Sequence, residues 1–274
     1  MTSLVFMSRQ RPDQRLDLSP LVPHRLSGKS AAEIERVELQ TTRERVRVGD
    51  AFRVRMGEAA RVRIEGSCDR LDRIGQDMLD GEILVAGDVG AQAGRGMRGG
   101  RLVIDGDAGP WAGSAMHGGV LEISGSAAER LGGPLAGEPV GMRGGVLIVR
   151  GNAGERCGDR MRRGMIVVEG RAGAYAGSRM IAGTMILCRD CSALPGYLMR
   201  RGTIVLGGSC AAFSPSFVDC GSHDLVAMRL IAQFASRYSK RAGAVIRRKL
   251  HRLAGDMAVL GKGELFVKER SSDA

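Results

Sequence analysis

At 274 residues, 43% of them hydrophobic, the chain is long enough to bury a sizeable core in one large or two small domains. Aromatics make up only 4% while glycine reaches 41 residues, which excludes a broad interior filled with large rings and favours a narrow, layered one. The formal net charge of +11 rests on arginine, 36 against 5 lysines, and favours an acidic protein surface, an anionic cofactor tail or nucleic acid without choosing among them.

In chain order, the opening "MTSLVFMSRQRPD" breaks into charge and proline too early for a secretory signal, and no later stretch approaches bilayer-spanning length. Six cysteines without an export signal point to reduced thiols and a cytoplasmic location. Residues 1–56 are expected to cap the domain that follows. Their β pattern ends in "VRVGDAFRVRM", where Val46, Val48, Phe52, Val54 and Met56 stand among polar neighbours.

From residue 57 the sequence repeats. Met78, Met97, Met116, Met142, Met161, Met180 and Met199 recur every 19 residues, with one interval of 26 at the irregular stretch "AERLGGPLAGEPVG". Three residues after each Met stands a glycine, and each glycine opens a five-residue run: EILVA, RLVID, VLEIS, VLIVR, MIVVE, TMILC, TIVLG. An eighth run, RVRIE (61–65), precedes them. The second and fourth residues of every run are apolar, the signature of a strand with one buried face. Most runs are followed by Gly-x-x-Gly-x-x-x-Gly, as at Gly106, Gly109 and Gly113. Nineteen residues are too few for a strand–helix–strand unit, which needs about 30. They suit one turn of a solenoid, and eight strands stacked at about 4.8 Å make a rod of about 34 Å. The fold class expected is all-β: a right-handed parallel β-helix over residues 57–218.

The repeat also absorbs several motifs. "GRGMRG" at Gly94–Gly99 matches the dinucleotide fingerprint, but a strand follows it where the fingerprint needs a helix. "CRDC" at Cys188–Cys191 matches a redox or zinc motif. Aligning the turns instead puts Cys68, Cys191 and Cys210 in one interior ladder with Val89, Ala108, Ala127, Ala153 and Ala172. Cys157 falls in a second, with Ala93, Ala112 and Ala176, so these thiols read as small buried hydrophobes. Cys220 fits neither ladder. The Met ladder reads as core packing rather than soft-metal ligation. His24, His117, His223 and His251 show no metal spacing, and no catalytic residue is expected.

One feature is left over. The residue after each Met is Leu79, Arg98, His117, Arg143, Arg162, Ile181 and Arg200, with Arg163 and Arg201 alongside. Stacking would line these up as a basic stripe, either a solvated corner or a track for an acidic partner or a polyanionic chain. Residues 219–274 are expected to form a C-terminal helical cap or partner-docking segment. Leu225, Met228, Ala232, Ala235 and Tyr238 recur at helical spacing behind an N-cap at Ser222 or Asp224. A second helix is expected after Gly243, with Ile246, Leu250 and Leu253 on one face. Residues 225–254 carry eight Lys/Arg and no acid, yet lack both the interleaved aromatics of a single-strand binder and a helix-turn-helix frame. Docking is favoured over nucleic acid.

The turns "GDAGPWAGSAMHGGVLEISG" and "GRAGAYAGSRMIAGTMILC" resemble the Gly-x-Gly-x-Gly repeat domain. That domain occurs at the C-terminus of the glutamate synthase large subunit and as the C subunit of formylmethanofuran dehydrogenase. The leader Ser27–Val54 is similar to the start of that C subunit specifically, and the resemblance runs from about Leu4 to Leu206. It implies a right-handed β-helix that is not an enzyme on its own but sits inside a larger one. In methanogens that assembly is the tungsten or molybdenum dehydrogenase. In methylotrophic bacteria the counterpart is a formyltransferase/hydrolase complex, which the arginine bias favours here. The resemblance implies three partners: an amidohydrolase-like hydrolase subunit, a dehydrogenase-like B subunit and a formyltransferase subunit. It also implies that the methanofuran-type carrier, with its glutamate-rich tail, and any metals belong to those partners. A stand-alone glutamate synthase-type module and a basic nucleic-acid-binding protein are the alternatives. Asp69, Ala128 and Arg189 stand where the motif has glycine, a departure from it at those three corners.

Overall fold

The computed structural model describes residues 2–41, 43–222 and 224–268. Its centre is one 13-stranded sheet, most of it parallel. Eight parallel strands follow in sequence order: Glu58–Glu65, Glu82–Ala86, Arg101–Ile104, Val120–Ile123, Val146–Val149, Met165–Val168, Thr184–Leu187 and Arg201–Leu206. Register is kept throughout, so Leu102 pairs with Leu121, Leu121 with Leu147, Leu147 with Ile166 and Ile166 with Met185. A second parallel ladder of single bridges joins Val89, Ala108, Ala127, Ala153, Ala172, Cys191 and Cys210 in turn. Each coil thus touches the next along two separate lines, and between them lies the main core. Corners at Ala128 and Arg189 keep this ladder although they lack glycine. Cys68, expected to start it, makes no bridge.

The alternation read from the sequence holds: the second and fourth residue of every run is buried. The expectation of one buried face holds only for the early strands. From Val146 onward Val146, Ile148, Met165, Val167, Ile186 and Val205 are buried as well, in a separate outer cluster. Their cover comes from the helices Val226–Ser236 and Lys240–Ile246, which pack Met228, Ala232, Ala235, Ala242 and Val245 against them.

The Met-x-x-Gly spacing also has a cause. Each methionine of the ladder is fully buried, and from Met97 to Met180 its terminal methyl lies under the glycine of the next repeat. A Cβ at Gly119, Gly145 or Gly202 would stand 2.7, 2.8 or 2.9 Å from the methyl of Met97, Met116 or Met180, and these glycines have φ of +80°, +85° and +105°. The seven extra residues form a bulge between Gly132 and Met142, closed by a Met142 N–H bond of 2.7 Å to the Gly132 carbonyl.

Both ends add strands. Ser3–Ser8 pairs parallel with Glu58–Glu65 and antiparallel with Phe52–Arg55, and Phe6 and Phe52 meet edge to face at 6.2 Å. The expected continuous β run through 46–56 is broken: Val48–Ala51 is a helical turn, because the Asp50 carboxylate accepts from the Arg47 N–H at 2.9 Å. Met56 is exposed. At the other end the first helix begins at Val226, so its N-cap is Leu225, without a side-chain cap bond, and not Ser222 or Asp224. The second helix spans Lys240–Ile246 and contains Gly243 rather than following it. Leu250 and Leu253 lie on a strand, Leu250–Gly255, antiparallel to Lys262–Lys268, which itself pairs parallel with Arg201–Leu206. The C-terminal segment is therefore part strand. Its run "GELFV" has the same alternation as the coil strands, interrupted in sequence by the helices.

Candidate functional site

The basic edge is built by the backbone. The N–H of Arg98 donates to the carbonyl of Met78 at 2.8 Å, His117 to Met97 at 2.8 Å and Arg143 to Met116 at 2.7 Å. Arg162 donates to Met142 at 2.8 Å, and Arg200 to Met180 at 2.8 Å. Because every bond links one coil to the methionine of the coil before, the residues that follow the methionines are stacked in a line. Arg98, His117, Arg143, Arg162, Arg163, Arg200 and Arg201 are all exposed. Leu79 at one end is exposed, while Ile181 interrupts the line between Arg162 and Arg200.

These cations stand outside the ion pairs that other arginines make. Some arginines are committed within the fold: Arg95 to Glu138 at 2.6 Å, Arg150 to Glu122 at 2.6 Å and to Glu169, Arg179 to the fully buried Asp159 at 2.5 Å. Among the described residues, none of the seven on the edge forms an ion pair. Arg143 acts only at longer range, its charge helping Arg95 to hold the Glu138 carboxyl below its usual range. A line of guanidinium groups with open hydrogen-bond donors can take up carboxylates or phosphates in several equivalent ways.

The thiols separate. Cys191 sits in the main core and Cys188 in the outer cluster under the helices, so the two ends of "CRDC" face different interiors. Burial pushes the Cys157 and Cys188 thiols up to about 12. Cys210, half-buried beside Cys191, is held down at about 7 chiefly by the neighbouring Cys191 thiol, which itself points its donor at the Gly173 carbonyl at 3.4 Å. Cys220 lies on the edge strand Val218–Ser222. Among the described residues no group of three or more His, Cys, Asp or Glu side chains is placed to hold a metal ion. His24 and His117 are far apart in the sequence and share no cluster. His251 is paired to Asp219, and His223 lies outside the described residues. No helix among the described residues is long and apolar enough to cross a membrane.

Sequence reasoning missed a second column. Gln92, Trp111, Arg130, Arg156, Tyr175 and Leu194 all take left-handed φ between +51° and +62°, one per coil. Arg156 lies 4.8 Å over the Tyr175 ring. Their common spacing is legible in the sequence, but the residue types differ too much to reveal a shared conformation.

No family model matches the chain. It is 52% identical over 254 residues to the C subunit of the formyltransferase/hydrolase complex Fhc of Methylorubrum extorquens, covering 93% of this chain and 95% of the relative. It is 37% identical over 99 residues to the C subunit of the tungsten-containing formylmethanofuran dehydrogenase 2 of Methanothermobacter thermautotrophicus, covering 34% of this chain and 37% of that one. Among solved structures it superposes with TM-score 0.93 and 41% identity on a chain of the formyltransferase/hydrolase complex FhcABCD of Methylorubrum extorquens, crystallised in complex with methylofuran. That match covers 97% of this chain and all of the other. The stacked coils, the edge they carry and this full-length likeness lead to one conclusion: the chain belongs to the family of formyltransferase/hydrolase complex C subunits, related to the C subunits of formylmethanofuran dehydrogenase.

Proposed function

We propose that this chain is the non-catalytic structural subunit of a cytoplasmic formyltransferase/hydrolase complex. The complex takes formyl groups from tetrahydromethanopterin, by way of a methanofuran-type carrier, to formate. The observation that carries the reading is the 52% identity to the Fhc C subunit across nearly the whole length of both chains. The partners are an amidohydrolase-like hydrolase subunit, a dehydrogenase-like B subunit and a formyltransferase subunit, which supply the catalytic groups and any metals.

In this reading the parallel stack is a right-handed β-helix, the hand nearly always taken by crossovers between parallel strands of one sheet. Residues 1–56 close one end, 57–218 are the rod, and 219–274 close the other end and dock a partner. The edge formed by Arg98, His117, Arg143, Arg162, Arg163, Arg200 and Arg201 meets the polycarboxylate tail of the carrier or an acidic partner surface. Unpaired guanidinium groups repeated coil after coil fit a chain of carboxylates, which can exchange one contact for the next. The carrier is held by the assembly, and this chain alone binds no cofactor.

Affinity purification of the tagged chain from its native host tests the reading. The hydrolase, the dehydrogenase-like subunit and the formyltransferase are expected to co-purify in fixed ratio; recovery of the chain alone, or with nucleic acid, would overturn it.

A further inference from the structure

The helix Val226–Ser236 covers the outer face of the late strands with Met228, Ala232 and Ala235, yet it carries a second apolar line on its far side. Val226, Leu230 and Phe234 are spaced four apart and are 68%, 62% and 39% exposed. Such spacing puts them on one face, and large apolar side chains clustered in solvent mark interaction surfaces. The ridge they form has a hollow on either side. One, of about 520 Å³, lies between Leu230, Ile231 and Phe234 and the strand residues Val146 and Met165. The other, of about 690 Å³, has an apolar floor of Met228, Ala232, Ile246, Leu250 and Phe266. Its rim is cationic: Arg229, Arg247, Arg248 and Lys249 stand against one carboxylate, Asp224.

The ridge is held firmly from below. The Arg150 guanidinium donates to the Tyr238 carbonyl at 3.1 Å, and the Ser239 hydroxyl to Glu169 at 2.7 Å. A rigid apolar ridge flanked by a basic groove, in a stretch of eight Lys/Arg and no acid, asks for an occupant of opposite charge.

We propose that this ridge and groove are the docking face for a partner subunit, which meets them with an apolar segment bordered by Asp and Glu. The proposal deepens the reading of the chain as one component of a larger complex and rests on it. It is separate from the arginine edge, which lies on the coil corners.

The test uses the complete complex, co-expressed with Leu230→Asp or Arg247→Glu in this chain. Both positions are exposed, so the fold is expected to survive, which circular dichroism and a thermal melt establish. Leu230→Asp is expected to weaken retention of one partner subunit about tenfold or more at every salt concentration, as loss of a central apolar anchor does. Arg247→Glu is expected to weaken it mainly at low salt, where screening is least. A photo-crosslinker placed at position 230 in the wild-type complex is expected to capture an acidic, apolar peptide of that same partner. Assembly unchanged by both substitutions while the wild-type complex forms would overturn the docking face and leave the reading of the chain as a complex component intact. So would a crosslink to a second copy of this chain, or a Leu230-dependent attachment to phosphatidylglycerol vesicles with assembly unaffected. Failure of the wild-type chain to assemble at all would overturn both.

Discussion

Ile104 and Asp105 are neighbours with opposite surroundings. Ile104 is fully buried between Val85 and Ile123 of the adjoining coils, while Asp105 is exposed and contributes its backbone N–H to the Val85 carbonyl. A carboxylate at position 104 has no partner in a column of aliphatic side chains, so Ile104→Asp is expected to cost about 4 kcal/mol or more. Asp105→Ala is expected to cost less than about 0.5 kcal/mol. Chemical denaturation of both variants checks the register, and equal losses would contradict it. The thiols make a second residue-scale prediction. With its thiol held near 7 by the neighbouring Cys191, Cys210 is expected to be alkylated with a midpoint close to neutral pH. Cys157 and Cys188, pushed up to about 12 by burial, should stay protected in the native protein. Site-resolved mass spectrometry after iodoacetamide treatment measures this, and Cys191→Ala should move the Cys210 midpoint upward. A midpoint indifferent to Cys191 would dismiss the pairing.

Among the elements, the docked helices and the late strands depend on one charged knot. Arg150 binds Glu122 and Glu169, and Glu169 also accepts from Ser239, which caps the helix Lys240–Ile246 through a 3.1 Å bond from the Ala242 N–H. Burial raises the Glu122 carboxyl, but the hydrogen bonds of Arg150 and Arg101 outweigh it and hold the group below its usual range. A carboxyl lowered by folding adds stability that is fully present above its unfolded value of about 4.3 and is lost as the pH falls through the lowered value. Glu122→Gln is therefore expected to destabilise the protein at pH 7 and to make no difference in strong acid. Glu169→Ala is expected to cost about 1–2 kcal/mol, since the arginine it leaves is part-exposed. The loss should appear as faster amide exchange in the two helices with the strand Arg101–Ile104 unchanged; uniform acceleration would refute the local role.

Coils that repeat every 19 residues print their strand, methionine and glycine positions directly into the sequence, because each residue meets its own equivalent in the next coil. The arginine edge was legible for the same reason. The burial of Val146, Ile148 and Val167 on their second face was not, because the helices that cover them lie about 80 residues downstream. Nor was the strand Lys262–Lys268, whose pairing with Arg201–Leu206 crosses that helical insertion. The turn at Val48–Ala51 follows from one carboxylate, Asp50, inside an otherwise alternating run.

Over the whole molecule, the stacked parallel strands carry along one edge charge that forms no ion pair among the described residues. Single exposed contacts of this kind are weak and screened by salt. Arg98, Arg143, Arg162 and Arg200 changed together to Gln are expected to leave the unfolding free energy within about 1 kcal/mol. At low ionic strength the complex should then lose either carrier turnover or an acidic partner. Assembly and turnover equal to wild type at low salt would reduce the edge to a solvated corner.

The proposed role gives the chain architecture, and not chemistry, in formyl transfer. Its most direct measurement is reconstitution: formate release from formyl-tetrahydromethanopterin by the partner subunits with carrier, with and without this chain, and by this chain with carrier alone. No formate is expected from the chain alone, and most of the release should be lost when it is withheld from its partners. Release should return on adding the purified chain back. Formate produced by the isolated chain, or full release by the partners without it, would contradict a purely structural role.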